Sequence, residues 1–220
     1  MEGESDQEII PLLLAQSQTI ASAALTRTGF PVMNGEGKLR GRQRQTSLLY
    51  WEEFLSELGK NGMPRVYLFD GGCVQEDRTL LQKSKIFERD SGAYLKFLKM
   101  HEIENYLLIA DAIIETLKEM ADFQGLTNPD INLERLSKSL QAILARVDNQ
   151  KLYPNGIDQD RRRDVKGSVV LQMLFPEFGL DYDKRRTGRL LATKITFKNQ
   201  PLLDEIWTLF PAGFLSRTAV

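Results

Sequence analysis

Two short apolar runs constrain the fold of this 220-residue chain more than any other feature. The segments RVYLFDGG (65–72) and AYLKFLKM (93–100) have the length and the aliphatic and aromatic content of buried strands. A third run, GFPVMNGEGKLRG (29–41), suits a strand that leads into a Gly-rich loop. Helical patterns alternate with these runs across short Gly-containing connections. The sequence therefore predicts an α/β layer with a mainly parallel sheet.

Helices are predicted before these strands. Ser5 and Glu8 form a capping box, which places a helix start near Asp6 and an end near Arg27. The segment SLLYWEEFLSELGKNG (47–62) carries an apolar stripe at helical spacing and predicts a second helix.

The second half of the chain has a mostly helical pattern. We expect residues 1–110 to form the sheet-containing core and residues 111–220 to form a helical C-terminal extension that completes the domain. The helical segments are DAIIETLKEMADF (111–123), NLERLSKSLQAILARV (132–147), GSVVLQMLF (167–175), GRLLATKI (188–195) and LLDEIWTLF (202–210).

The composition limits the kinds of partner and metal site that this chain can have. The hydrophobic fraction of 42% and charged fraction of 27% are those of a globular protein, and the net charge of -1 gives no general attraction to nucleic acid. No apolar stretch reaches membrane-spanning length, so we expect a cytoplasmic protein without a membrane partner. Cys73 and His101 are the only residues of their types, which excludes a disulfide framework and a Cys/His zinc cluster within one chain. A bound metal would need oxygen ligands, as magnesium, manganese and calcium prefer.

Acidic residues follow the predicted strands. Asp70 ends one strand, Glu102 and Glu104 follow the next, and Glu2 and Asp6 lie at the start of the first helix. Ligands of open parallel sheets bind at the carboxyl ends of the strands, where converging carboxylates need a cation between them. Such a site suits phosphate chemistry. Taken singly, each acid also fits a frayed terminus, a turn, a helix start or a solvated face.

In order and context, four segments resemble the Toprim domain, particularly the version in the OLD family of nucleases. They are EGESD (2–6), VMNGEGK (32–38), RVYLFDGG (65–72) and LKMHEIENYLL (98–108). A weaker resemblance extends over VKGSVVLQMLFPEFGLDYDK (165–184). The resemblance covers most of the chain and implies a Toprim-like, mainly parallel sheet flanked by helices.

The resemblance assigns roles to five residues. Glu2 is similar to the Toprim glutamate, and Asp6 to its companion one helical turn later. Asp70 matches the first acid of the family's Asp-x-Asp motif, and Glu104 the acid after the following strand. These four would hold one or two magnesium or manganese ions, with Glu2 and Asp70 acting in catalysis. Lys166 would stabilise charge on the reacting phosphate.

The chain departs from the motif in two places. Asp-x-Asp reads Asp70-Gly71-Gly72, so the second carboxylate is missing, and Glu76 or Asp77 in the following loop are the candidate substitutes. The Toprim glutamate also ends a first core strand, for which only Met1 is available here. We therefore expect a longer upstream sequence that includes an ATPase domain.

Three functions are compatible with this pattern. The first is a metal-dependent DNA endonuclease that nicks or cleaves DNA, works with an ATPase domain or partner in phage defence, and has a homodimer among its candidate assemblies. The second is a degenerate Toprim module that binds DNA or an ATPase partner without cleaving. The third, a phosphotransferase of the primase or topoisomerase kind, fits the Glu-Asn-Tyr-Leu segment poorly.

Basic residues suggest where DNA would lie. Lys38, Arg40, Arg42 and Arg44 alternate in a stretch without acids, so they are the candidate contacts to the DNA backbone. The run at 161–163 is flanked by acids that weaken its field.

Overall fold

The computed structural model describes residues 4–16, 42–59, 64–73, 75–87, 92–126, 130–157, 160–196 and 200–210. In these ranges the chain is mixed α/β and mostly helical, with a small two-stranded parallel sheet. The α/β class is therefore confirmed in this coarse form. Within the same ranges, no helix combines the length and the apolar character needed to cross a membrane.

The sheet consists of β1 (Arg65–Phe69) and β2 (Ala93–Phe97). The strands run parallel, with Arg65 paired to Ala93 and Phe69 paired to Phe97. Both strands lie where their apolar runs predicted, and their parallel direction is confirmed. The third predicted strand, in 29–41, lies outside the described residues.

Helices surround this sheet. Helix α1 (Glu4–Ala15) and helix α2 (Arg42–Glu57) precede it, and α3 (Gln75–Gln82) connects its strands. A 3-10 helix at Ile103–Leu107 follows β2. The later helices lie in the predicted helical half, apart from the first residue of α4. They are α4 (Ala110–Phe123), α5 (Leu133–Leu144), α6 (Arg161–Asp164), α7 (Gly167–Leu174), α8 (Arg186–Lys194) and α9 (Gln200–Trp207).

Two groups of buried apolar side chains hold these elements together. The larger contains side chains from α1, the 3-10 helix Ile103–Leu107, α4, α5, α7, α8 and α9, with Leu13, Leu117 and Leu171 completely buried. The smaller lies between the sheet, α2 and α3 and includes Leu48, Tyr67, Phe69, Leu81, Ile86 and Ala93. The larger core thus joins residues from both sides of position 110.

The structure corrects two details of the first helices. Helix α1 ends at Ala15, and the predicted continuation towards Arg27 lies outside the described residues from position 17 onward. Helix α2 forms as predicted, but Leu48 is the buried member of its stripe, whereas Phe54 and Leu58 are about half exposed. Periodicity alone indicated the helix but not which of its faces packs.

Candidate functional site

The loops that follow the two strands pack against each other at the carboxyl edge of the sheet. The Gly72 amide donates to the His101 carbonyl at 2.9 Å. A side chain on Gly71 would place its Cβ 2.0 Å from the Met100 carbonyl oxygen, so only glycine fits there. This contact brings the segment that starts at Asp70 to the segment that carries His101 and Glu104, as predicted for strands ending at one edge.

Glu104 lies at the centre of a group of acids. Its side chain is buried under α1 within the 3-10 helix Ile103–Leu107. The Lys184 ammonium is 2.9 Å from Oε1, whereas Oε2 has no hydrogen-bond partner in the described part of the chain. Burial raises the Glu104 pKa to about 7; Lys184 opposes this shift, and the nearby charges of Glu102 and Asp6 add to it.

Asp6 reaches this group from the start of α1. The helix packs its buried face, including Ile9, against α8, where Gly188 leaves room for it: a Cβ there would lie 3.1 Å from the Ile9 side chain. Asp6 is buried, and its charge acts on both Glu104 and Lys184. We call Asp6, Glu102 and Glu104 the acidic cluster.

Asn105 places Lys166 beside this cluster. Its side-chain amide donates to the carbonyls of Arg162 and Val165, each at 2.8 Å, and fastens the segment before α7 to the 3-10 helix. Glu102 then accepts a hydrogen bond from the Ser168 amide at 3.0 Å, and its Oε1 lies 3.6 Å from the Lys166 ammonium. Lys166 therefore lies next to the acids as the ion-pair partner of Glu102.

Two lysines balance the cluster. Burial tends to lower the Lys184 pKa, but the charges of Glu104 and Glu102 outweigh it and raise the pKa overall. The Lys184 and Lys166 side chains are 44% and 41% exposed, so these two lysines lie between the buried acids and solvent. The sequence did not single out Lys184, because in the charged stretch Asp183-Lys184-Arg185-Arg186 it is indistinguishable from a solvated lysine.

A second buried polar group faces the same acids. The Tyr182 hydroxyl has no hydrogen-bond partner among the described residues. Burial raises its pKa, and the charges of Glu104 and Glu102 raise it further. Buried polar atoms normally have a hydrogen-bond partner, so the Tyr182 hydroxyl and Glu104 Oε2 are two positions where a partner from outside the described residues is expected.

A cleft of about 970 Å³ opens beside the acidic cluster at the carboxyl ends of β1 and β2. Three cations line it, Arg78, Lys99 and Arg163, and we call it the basic cleft. His101 also lines it, and burial lowers the pKa of its imidazole, with Glu102 opposing this shift. The sequence did not single out Arg78 or Lys99, since each is a lone cation between apolar or polar neighbours.

The other predicted residues are placed as follows. Glu76 and Asp77 were expected in a loop but lie in the first turn of α3, where Glu76 is exposed and Asp77 is buried. Glu2, Lys38 and Arg40 lie outside the described residues, as do the side chains of Arg42 and Arg44, whose backbone opens α2.

The metal prediction has limited support in these ranges. Among the described residues, no three histidine, cysteine or acidic side chains are arranged to hold an ion together. Asp6 and Glu104 supply two neighbouring carboxylates, and Glu2 is not described.

Comparison with known proteins found no family model, no curated protein and no solved structure that matches this chain.

Proposed function

We propose that this chain is a metal-dependent DNA endonuclease that hydrolyses phosphodiester bonds, with a Toprim-like domain of the OLD type. The observation that carries the proposal is the buried Glu104 carboxylate, whose Oε2 has no hydrogen-bond partner in the described residues. The negative charges of Asp6 and Glu102 lie near enough to raise its pKa. A buried carboxylate left incomplete in this way is unusual unless a ligand completes it.

The donor set suits a hard divalent cation. Asp6 and Glu104 would hold magnesium or manganese through carboxylate oxygens, with Glu2 and Asp70 as the further predicted ligands. When bound, such an ion neutralises a phosphodiester and lowers the pKa of a coordinated water. Of these four carboxylates, Asp6 and Glu104 interact electrostatically in the described part of the chain. A complete ion site would also require Glu2 and Asp70.

The chain's own residues would support this reaction. Glu104, with its pKa raised to about 7, can hold or release a proton at the acidic cluster near neutral pH. Lys184 fixes the orientation of this carboxylate through its contact with Oε1. Lys166, 3.6 Å from Glu102, brings positive charge to the same edge and would stabilise the phosphate.

The finer features of this proposal come from the resemblance and from sequence patterns. They are a core over residues 1–110 with a helical extension over 111–220, an upstream ATPase domain or partner, a homodimeric assembly, a cytoplasmic location and a role in phage defence. The ATPase partner and the role in phage defence follow from the nuclease assignment, whereas the division at 110 rests on the helical pattern and the cytoplasmic location on the apolar stretch lengths.

One observation favours a second function. Lys184 and Lys166 lie beside Glu104 and Glu102, so two acids of the cluster have protein cations as partners. A degenerate module would show this arrangement, because internal lysines then take the place of metal. Such a module would bind DNA or an ATPase partner at the same edge without cutting.

Cleavage of supercoiled plasmid by the full chain separates these two functions. We expect nicking with magnesium or manganese, none with EDTA, and at least about a hundredfold loss in Glu104→Gln and Asp70→Asn. The control is Glu115→Gln, an exposed glutamate on α4, which should cut like the original protein. A protein that binds plasmid but does not cut with either metal supports the degenerate module and overturns the nuclease.

A further inference from the structure

Arg78 carries a positive charge whose hydrogen-bond acceptors, among the described residues, are backbone carbonyls. Its Nε donates to the Cys73 carbonyl at 3.0 Å, and its Nη2 donates to the Gly71 carbonyl. The guanidinium carbon lies 4.9 Å from the centre of the Phe97 ring. In the described part of the chain, no carboxylate contacts this guanidinium. Its orientation is therefore fixed by neutral groups while its remaining N–H donors are left for another acceptor.

Two more cations share one carboxylate on the opposite wall of the cleft. Glu205 lies 3.9 Å from the Lys99 ammonium and 3.7 Å from Arg163 Nη2, and it also accepts the Tyr106 hydroxyl at 2.7 Å. Arg163 has a further carboxylate at 3.4 Å, on Asp160. At these distances the carboxylates orient the two cations. The Lys99 side chain is 51% exposed, so its ammonium remains in solvent.

The floor of the cleft is backbone. Gly71 and Gly72 line it, and the Asn155 amide donates to the Gly72 carbonyl at 2.7 Å and holds the floor in place. Asp164 is the sole carboxylate among the described residues that line the cleft. The lining is therefore concave, polar and on balance positive, which excludes an apolar ligand and favours an anion.

We propose that the basic cleft binds a phosphate group of a nucleic acid strand or nucleotide, with Arg78 as the anchor and Lys99 and Arg163 as the flanking cations. A guanidinium with free, fixed N–H donors matches the paired oxygens of a phosphate. The inference deepens the proposed nuclease, since it puts substrate phosphates beside the acids. It assigns this role to residues other than the predicted Lys38, Arg40, Arg42 and Arg44.

Binding in EDTA tests the cleft without requiring cleavage. The full chain is titrated into a fluorescently labelled short DNA duplex, and anisotropy gives Kd at several salt concentrations. We expect Arg78→Gln and Lys99→Gln each to weaken binding by about tenfold and to reduce the slope of log Kd against log salt by about one. Lys118→Gln, an exposed lysine on α4, is the matched control and should bind unchanged.

The competitors identify the source of the phosphate. Displacement of the duplex by unlabelled oligonucleotide but not by ATP assigns the cleft to strand phosphodiesters, and displacement by ATP or inorganic phosphate assigns it to free phosphate groups. Thermal melting checks that each variant is folded, and Lys99→Gln keeps the test valid if Arg78→Gln unfolds. Unchanged Kd and salt slope in a folded Lys99→Gln and a folded Arg78→Gln overturn the inference, whether or not the protein cuts plasmid.

Discussion

The acidic cluster and the basic cleft lie at the same edge of the same sheet, yet they handle charge in opposite ways. In the cluster, Glu104 is fully buried and a lysine ammonium stands 2.9 Å from it. In the cleft, Arg78 is held by carbonyl oxygens and an aromatic face, with no carboxylate on it in the described residues. Two acids of the cluster have lysine partners, whereas Arg78, the central cation of the cleft, has no carboxylate partner among the described residues.

Burial explains the difference. Removing the partner of a buried charge costs several kcal/mol, because the charge left behind is neither hydrated nor paired. A half-exposed lysine or arginine remains partly hydrated and can keep its charge without an internal partner. Changes in the cluster should therefore act on stability, and changes in the cleft should act on binding.

The largest expected effect is at the contact that joins the two regions. Gly71→Ala places a Cβ 2.0 Å from the backbone carbonyl of Met100, and backbone cannot swing aside as a side chain can. We expect the free energy of unfolding to fall by about 3 kcal/mol or more, measured by urea denaturation.

Gly125→Ala is the comparison for this change. Gly125 has a φ of 67°, but a Cβ there meets nothing within 4 Å, so only backbone strain opposes the substitution. We expect a loss of about 1 kcal/mol. Equal losses at the two positions would show that the loops after β1 and β2 are not packed as tightly as the structure has them.

The next effect is the loss of the lysine beside Glu104. Lys184→Met leaves the buried carboxylate without its ammonium, and we expect the free energy of unfolding at neutral pH to fall by about 2 kcal/mol. We set this below the cost of breaking a fully buried pair because the Lys184 side chain is 44% exposed. Adding Glu104→Gln to Lys184→Met should return most of the lost stability. Additive losses in this double-mutant cycle would contradict the pairing.

The dependence of stability on pH gives a smaller effect with a definite sign. The unfolded chain releases the Glu104 proton near the ordinary pKa of 4.5, whereas the folded protein keeps it up to about 7. Raising the pH from 4.5 to about 7 therefore lowers the free energy of unfolding, and above about pH 7 this loss no longer grows. Glu104→Gln, which cannot ionise, should gain on the original protein by about 1–2 kcal/mol between these limits.

Melting temperatures across this range measure that difference. Glu115→Gln, on the exposed face of α4, should follow the original protein at every pH. A constant gap between Glu104→Gln and the original protein would show that the Glu104 pKa is close to that of an exposed glutamate.

A cost of comparable size is expected at Gly72, the position where the second acid of the Asp-x-Asp motif is missing. A Cβ on Gly72 would lie 2.4 Å from the His101 ring, so the imidazole already occupies the space of a side chain at position 72. We expect Gly72→Asp to cost about 1–2 kcal/mol, since the ring has to move. His101→Ala should recover most of this loss in the double variant. A Gly72→Asp protein as stable as the original would mean that the ring turns aside freely.

The sequence predicted the parts of the site that follow from local pattern. Apolar runs of strand length gave β1 and β2, and the rule that ligands bind at the ends of parallel strands brought Asp70 and Glu104 to one edge. The capping box predicted a helix start near Asp6, and α1 begins two residues earlier, at Glu4, with Ser5 inside the helix. These inferences hold because short-range patterns determine strands, helix starts and turns.

The rest depends on contacts between distant parts of the chain. Lys184 reaches Glu104 across 80 positions, and Arg78 is oriented by two carbonyls and a ring that no sequence pattern brings together. The exposure of Phe54 depends likewise on which elements cover α2. Side chains whose role is set by their tertiary partners resemble ordinary surface residues in the sequence.

The smallest effect on stability tests the basic cleft itself. Lys99 is half exposed and 3.9 Å from its carboxylate, so Lys99→Gln should change the free energy of unfolding by no more than about 0.5 kcal/mol. The same variant should weaken DNA binding by about tenfold. A residue that barely affects folding but controls binding is what an unneutralised cleft requires. If Lys99→Gln instead destabilised the protein as much as Lys184→Met, its charge would be part of the fold, and the contrast between the two regions would not hold.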